Sequence, residues 1–303
     1  MSKFQRTYTM SVQGRSGKFY NLSYPLTCVF DIDIRGGSGV NTAHFMLYNL
    51  SPETRNDIQF DSAIDIDGKV VIKRSCVFNA GYISEGSLPV VFQGNIQKAF
   101  FYRDPGTGDV ITDIMVRDGL NAVQQAMVAQ SRAMPWTGAD QAKTLVDLFA
   151  PYGVTLGAVG TLFNDFKPTR GAMFLGSVWD NLTRFAVANG GCASIYQEKA
   201  YIMGETDALP TGGYLPQLNA STGIIGTPRR SGWVVDADML FEPNVHLWQL
   251  LQLVSTFNPT MNGIRRVDAI GHRGTISGAK DGGALTSLSL YLSPSGFNQV
   301  VPA

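Results

Sequence analysis

The sequence is short of charge and has no excess of either sign. Over 303 residues, 24 lysines and arginines balance 24 aspartates and glutamates, and charged residues reach only 16%, against about 25% in an average soluble domain. Without a positive excess there is no field to drive non-specific nucleic-acid binding. A chain this poor in charge tends to hide surface in partners, so permanent assembly is expected. Cysteine is equally scarce: Cys28, Cys76 and Cys192 lie far apart, which excludes a metal knuckle, a paired redox motif and a dense disulfide framework. Their scarcity suits a reducing compartment of synthesis. The start, Met1-Ser2-Lys3-Phe4-Gln5-Arg6, has no apolar signal core. Long apolar runs are missing as well. Residues 245–254 are broken by His246, Gln249 and Gln252, far short of the roughly 18 to 20 residues a membrane helix needs. No membrane insertion is expected.

What is present is alternation. From 7 to about 117 apolar and polar residues alternate with the period of half-buried strands. Tyr8, Met10 and Val12 share one face, while Phe30, Ile32 and Ile34 share another with Asp31 and Asp33 opposite. Gly36-Gly37-Ser38-Gly39 supplies a turn, and residues 45–50 read as a strand covered on both sides. Strands follow near 70–72 and 90–96, and a hairpin joins Phe100-Phe101 to 110–116 across Pro105-Gly106-Thr107-Gly108. One short helix interrupts them at 51–60, with Ser51 as cap, Pro52 at the first position and Glu53 at the positive dipole end.

After Asp118, an expected N-cap, the period changes to 3.6: Leu120, Val123, Met127 and Gln130 follow at helical steps. A second helix is predicted over 140–150, burying Leu145, Val146 and Phe149 and stopped by Pro151 and Gly153. A third is predicted over 172–189, where Phe174, Leu175, Val178, Trp179, Leu182, Phe185 and Ala186 form a stripe. Trp179 and Leu182 are its expected core residues, and Gly190-Gly191 ends it. Strands resume over 192–196, 200–203, 232–239, 245–254, 265–271 and 285–292. The fold class is mainly β with α insertions.

Tests for chemistry fail on spacing. Gly17-Lys18 and Gly68-Lys69 lack the residues of a phosphate loop. Asp61, Asp65, Asp67 and Gly68 mimic a calcium loop, but in register position one is Ala63 and position twelve is Arg74, so the bidentate glutamate is missing. His44, His246 and His272 are isolated and read as packed or hydrogen-bonded residues. Gly14-Arg15-Ser16-Gly17 is no nucleophile elbow. Asp31 and Asp33, two apart on a strand, are its wet face rather than an acid and base pair. Arg229-Arg230, with Trp233 near, and Arg265-Arg266 fall short of a nucleic-acid footprint and read as solvent-exposed or partner contacts. No catalytic, cofactor-binding or metal-ligating residue is assigned, and no enzyme activity or cofactor is expected.

Several segments, in order, resemble one family. Phe45-Met46-Leu47-Tyr48-Asn49-Leu50-Ser51-Pro52-Glu53-Thr54-Arg55 looks like its strand running into a capped helix. Ala80-Gly81-Tyr82, then Val90-Val91-Phe92-Gln93-Gly94-Asn95-Ile96, and Ile111-Thr112-Asp113 to Arg117-Asp118-Gly119 match its following elements. Downstream, Gly226-Thr227-Pro228, Met239-Leu240-Phe241-Glu242-Pro243, and Arg266-Val267 to Gly271-His272 with Gly274 are similar to its second barrel. The family is the baseplate hub proteins of contractile-tailed bacteriophages, which share a fold with the hub of type VI secretion spikes. Members often carry an acidic turn and a tryptophan after that histidine, whereas here Gly274-Thr275-Ile276-Ser277-Gly278-Ala279 and Gly282-Gly283 stand instead.

The resemblance implies two tail-tube-like antiparallel β-barrels, 1–118 and 191–303, joined by a helical section, 119–190. It implies a homotrimer whose six similar domains surround a DNA channel and join the hexameric tail tube protein to the trimeric central spike protein. Tape measure and baseplate wedge proteins are further expected partners, without sequence-specific nucleic-acid binding. The place would be the virion baseplate, assembled in the host cytoplasm. The alternatives are a distal tail or tail-associated protein of a non-contractile tail, a tail-borne cell-wall hydrolase, and a carbohydrate-binding β protein.

Overall fold

The computed structural model describes residues 5–37, 39–59, 74–279 and 282–302. The 61–68 acidic cluster and the strand expected at 70–72 lie outside the described residues. The chain is mainly β and largely antiparallel, as the alternation requires. Strands Arg6–Gln13, Phe19–Ser23, Cys28–Arg35, Thr42–Tyr48, Ser75–Tyr82, Val90–Arg103 and Val110–Arg117 form the first β region. Ile224–Ser231, Val234–Leu240, Leu250–Leu253, Gly263–Ile276 and Ala284–Tyr291 form the last. All belong to one 13-stranded sheet. The two regions are stitched where Gly263–Ile276 pairs antiparallel with Cys28–Arg35, Ala269 opposite Arg35 and Ile276 opposite Cys28. The sheet path is open, ending at Ile224–Ser231 and Phe19–Ser23, and no closed barrel is traced among the described residues.

One core serves both regions. Phe45 and Phe30 pack on Phe78 at 4.9 and 5.4 Å between ring centroids, and Phe241, from the last region, lies 5.6 Å from Phe30. The Tyr82 hydroxyl donates to the Phe241 carbonyl at 2.8 Å. Each of these fully buried rings contributes roughly 1.5 to 3 kcal/mol by leaving water, so the two regions cannot be parted without exposing several of them.

The helix Pro52–Ile58 forms as its cap predicts, with the Ser51 hydroxyl accepting from the Thr54 N–H at 3.2 Å. Helix Gly138–Asp147 is closed by a Thr137/Asp140 capping box and buries Leu145 and Val146, with Phe149 just beyond it. Two helical expectations are corrected. Met127 and Gln130 do not continue the helix Leu120–Gln125 but lie in the strand Met127–Arg132. The stripe predicted over 172–189 splits into a strand, Ala172–Ser177, paired with Met127–Arg132, and a helix, Val178–Ala188. Gly176 at φ 92° and the Ser177 hydroxyl, which accepts from Asp180 N–H, break it there. Met173 and Leu175 alternate outward and are exposed, Leu182 is fully buried, and Trp179 is half-buried. The strand expected over 245–254 shrinks to Leu250–Leu253.

These helices pack on a smaller sheet in which Thr155–Val159 runs parallel to Lys199–Gly204, itself paired with Gly191–Tyr196. That hairpin lies with the helices rather than on the large sheet. Gly39–Val40 joins it to the first β region.

Asp118 makes a second joint. Gly119, at φ 62°, occupies the expected cap position, where a Cβ would sit 2.8 Å from Ile195 Cγ2. The Asp118 carboxylate instead accepts from the Gln197 and Glu198 N–H groups at 2.6 and 3.0 Å. Both of those residues have positive φ, so the Tyr196–Lys199 turn aims its amides at one acceptor. Burial raises the Asp118 pKa to about 7. A raised folded-state pKa makes the folded chain bind more protons than the unfolded chain between about pH 4, the free-carboxyl value, and pH 7. Stability from this group therefore falls as pH rises through that window. Urea titrations are expected to show this slope in the wild type and its loss in Asp118→Asn; parallel profiles would contradict it.

Candidate functional surface

The alternation that builds the core also builds the opposite face. Because residues paired across strands point to the same side, one row runs Leu240, Leu285, Arg273, Asp31, His44, Met115. A second runs Ile225, Asp238, Ser287, Gly271, Asp33, Thr42, Arg117. A third runs Arg229, Asp236, Ser289, Ala269, Arg35. This outward face crosses from the last β region to the first without a break.

Its charges are matched locally. Arg273 Nε meets Asp31 at 2.8 Å, Arg35 Nε meets Asp33 at 3.0 Å, and Arg229 lies 4.0 Å from Asp238. Asp238 and Asp236 accept from Ser287 and Ser289 at 2.6 and 2.7 Å. His44 Nε2 and Asp113 are 2.7 Å apart. Asp33 raises the pKa of Arg35, and Asp31 raises that of Arg273. Asp31 and Asp33 are thus on the wet face, each beside an arginine.

The other residues singled out from sequence fall elsewhere. His272 is fully buried, bonded to the Thr286 hydroxyl at 2.9 Å and set edge-on to Phe241; burial pushes its pKa down to about 3, so it is a neutral core residue. His246 is bonded through Nδ1 to the Tyr196 hydroxyl at 3.1 Å, and burial lowers its pKa. Ser16 belongs to a turn, its hydroxyl donating to Asp57 at 2.6 Å. The three cysteines are free thiols; burial raises Cys28 and Cys76 well beyond the usual thiol range and Cys192 to about 11, which leaves them unreactive. Among the described residues no group of three His, Cys, Asp or Glu side chains could hold a metal ion. Among the described residues no helix is long and apolar enough to cross a membrane.

The arginine pairs divide. Arg229, Arg230 and Trp233 are exposed, as expected. Arg265 and Arg266 are buried, which corrects the expectation of solvent or partner contact. Arg265 donates to the Ile264 and Met261 carbonyls at 2.9 and 2.7 Å. Arg266 donates to the carbonyls of Glu205 and Asp207 at 2.7 and 2.6 Å, grips Asp268 through Nε at 2.7 Å, and lies 4.8 Å from the Trp248 ring centroid and 5.2 Å from that of Tyr291. Its signal was missed because these partners are scattered over almost ninety residues, from about 205 to 291.

The outward face thus lies on a 13-stranded sheet shared by two β regions, with the helices packed on a smaller sheet and a core of their own. The chain belongs to the baseplate hub gp41 family, whose model matches residues 15–271. Solved structures share the fold. A tail protein from Neisseria meningitidis matches with a TM-score of 0.61 and 12% identity, covering 96% of this chain and 99% of that one. The 43 kDa tail protein of prophage MuSo2 from Shewanella oneidensis matches with a TM-score of 0.61 and 11% identity, over 94% and 96%. A component of the Escherichia coli type VI secretion system matches with a TM-score of 0.53 and 8% identity, over 96% and 78%. No curated protein matches by sequence.

Only a guanidinium can serve the two carbonyls, the carboxylate and the aromatic faces around Arg266 together. Arg266→Lys is expected to lower stability by about 3 kcal/mol, the scale of a broken buried pair, read as a reduced urea midpoint. An unchanged midpoint would show that the clamp is not structural.

Proposed function

We propose that this chain is the hub of a contractile-tail baseplate: a homotrimeric adapter that joins the hexameric tail tube to the trimeric central spike, encloses the DNA channel and catalyses no reaction. The observation that carries this reading is the unbroken sheet in which the last β region continues the first through Cys28–Arg35 and Gly263–Ile276. A three-fold object meets a six-fold tube only if each chain presents two similar surfaces about sixty degrees apart. Two tube-type units, one within 1–118 and one within 191–303 apart from the Gly191–Gly204 hairpin, set side by side through that pairing, would provide them, and 119–190 with that hairpin would form the layer outside.

The hub family and the fold shared with tail proteins support the reading. So does the surface: Met127, Met173, Leu175 and Phe257 are exposed at 67, 75, 65 and 83%, which suits a protein that finishes its burial in an assembly. Met127, Met173 and Leu175 lie on one face of a two-stranded ribbon. In the virion the hub would contact the tape measure and wedge proteins, after assembly in the host cytoplasm.

Light scattering coupled to size exclusion is expected to return about three times the chain mass at micromolar concentration. A clean monomer across the concentration range would contradict the adapter.

A further inference from the structure

We propose that the free edge of the ribbon made by Met127–Arg132 and Ala172–Ser177 is a docking site for an extended segment of another polypeptide, one that alternates apolar residues and carries carboxylates at its start. The proposal goes beyond the hub reading and does not need it, because the ribbon lies within the helical section of one chain. The two strands pair only with each other. Their register runs from Ser177 opposite Met127 to Ala172 opposite Arg132 without a bulge. One step beyond the ladder the Val178 N–H donates to the Ala126 carbonyl at 3.0 Å, which fixes the pairs that exchange hydrogen bonds. Bonded and non-bonded pairs alternate along an antiparallel ladder, so Gly176 with Val128, Phe174 with Gln130 and Ala172 with Arg132 are bonded. Met127, Ala129 and Ser131 therefore turn their N–H and C=O groups away from the ribbon, and among the described residues no hydrogen-bond partner reaches them. The opposite edge is covered, since Asn181 Nδ2 donates to the Leu175 and Ser177 carbonyls at 3.0 and 2.7 Å.

Free edges are ordinarily blunted by a lysine, a proline or a bulge. The run Met127-Val128-Ala129-Gln130-Ser131 has none of these. Its side chains sort by face: Val128 and Phe174 turn into the small core, while Met127, Ala129, Met173 and Leu175 turn outward and are exposed. A strand added to this edge would bond to the outward groups of Met127, Ala129 and Ser131 and would lay every second side chain beside the apolar face. Charge sets the composition of that strand. Gly171 lies against the Arg132 carbonyl, where a Cβ would come within 2.8 Å, so the segment 167–171 enters at the Arg132 end. Lys167 and Arg170 are exposed there and make no ion pair among the described residues. Arg132 donates to the Thr144 hydroxyl and the Asp140 carbonyl at 2.7 and 3.2 Å, not to a carboxylate. Of the nearby acids, Asp140 accepts from the Thr137 N–H and hydroxyl, and Asp165 lines a separate cavity with Thr161 and Asp207. The Arg132 end is therefore left with an excess of positive charge. Antiparallel addition, the slightly more stable mode, brings the first residues of the added segment to that end, and carboxylates there complement it.

The probe is a fluorescein-labelled peptide, Glu-Glu-Thr-Val-Thr-Val-Thr-Val, read by anisotropy against the full chain, with Lys-Lys-Thr-Val-Thr-Val-Thr-Val as its counterpart. The acidic probe is expected to saturate with a Kd below about 300 μM. The basic probe is expected to bind at least about fivefold more weakly at about 50 mM salt, the gap closing at about 500 mM. Hydrogen exchange over 127–131 is expected to slow when the acidic probe binds. Ala129→Pro removes an N–H that serves no ladder bond, and is expected to weaken binding at least about tenfold, the loss of an edge bond and of its neighbours' alignment. Lys167→Glu/Arg170→Glu changes only exposed side chains and is expected to reverse the preference between the two probes, which keeps the test open should Ala129→Pro fail to fold. No saturable binding of the acidic probe, equal binding of both probes at low salt, or full binding by Ala129→Pro would overturn the proposal. A folded Ala129→Pro variant that scatters at a lower mass than wild type would assign the edge to a second copy of this chain and overturn it too. The hub reading is judged separately, by the mass of the wild-type chain.

Discussion

Eight residue pairs, from Ala269 with Arg35 to Ile276 with Cys28, hold the last β region against the first, and the rest of the molecule follows from their register. Side chains in a sheet alternate with period two, so a slip of one residue would turn one of the two strands over relative to the other. Either Ile32 and Ile34 would turn to water with Asp31 and Asp33 in the core, or Ile270 and Ile276 would turn to water with Arg273 in the core. Burying such charges costs several kcal/mol apiece even after relaxation. One constraint therefore sets the shared core and the polar face together. It also explains how 227 residues, 36–262, can separate the paired strands in sequence without the two regions drifting apart.

The helical layer is attached differently, by polar groups at the ends of elements. Asp118 receives the turn amides of the Gly191–Tyr196 and Lys199–Gly204 hairpin, and Arg266 gathers the carbonyls that follow it at Glu205 and Asp207. Asn41 adds a third tie, donating to the Ile195 carbonyl at 2.7 Å. Each is a side chain of the large sheet, or of its margin, that satisfies backbone groups of the small one, and buried backbone groups left unpaired are costly. The small sheet is thus held by directional bonds at its edge, while its own core under the helices stays separate from the main core.

Much of this was legible in the residues. Alternation through Tyr8, Met10 and Val12, and through Phe30, Ile32 and Ile34, located strands and their buried faces, because a half-buried strand leaves a local mark. Ser51-Pro52-Glu53 marked a helix start for the same reason. The stripe over 172–189 misled because Phe174 and Leu175 satisfy a period of 3.6 while Met173 and Leu175 also satisfy a period of 2. Gly176 and Ser177 decided between them. Asp118 looked like a helix cap and is not one: Gly119 takes that position, and the Asp118 carboxylate accepts from a turn about eighty residues away, a pairing that leaves no local mark. Arg266 was unreadable because its aromatic and carbonyl partners converge only in the fold. The matching of Asp31 with Arg273 was equally hidden, since strand pairing at that range leaves no periodic trace in the sequence.

The most direct measurement is electron microscopy of the purified chain, with class averages and then a reconstruction. A three-fold ring around a central hole, with the helical layer outside, is the expected result. A compact monomer, or a ring whose inner wall is made by the helices, would contradict the hub reading.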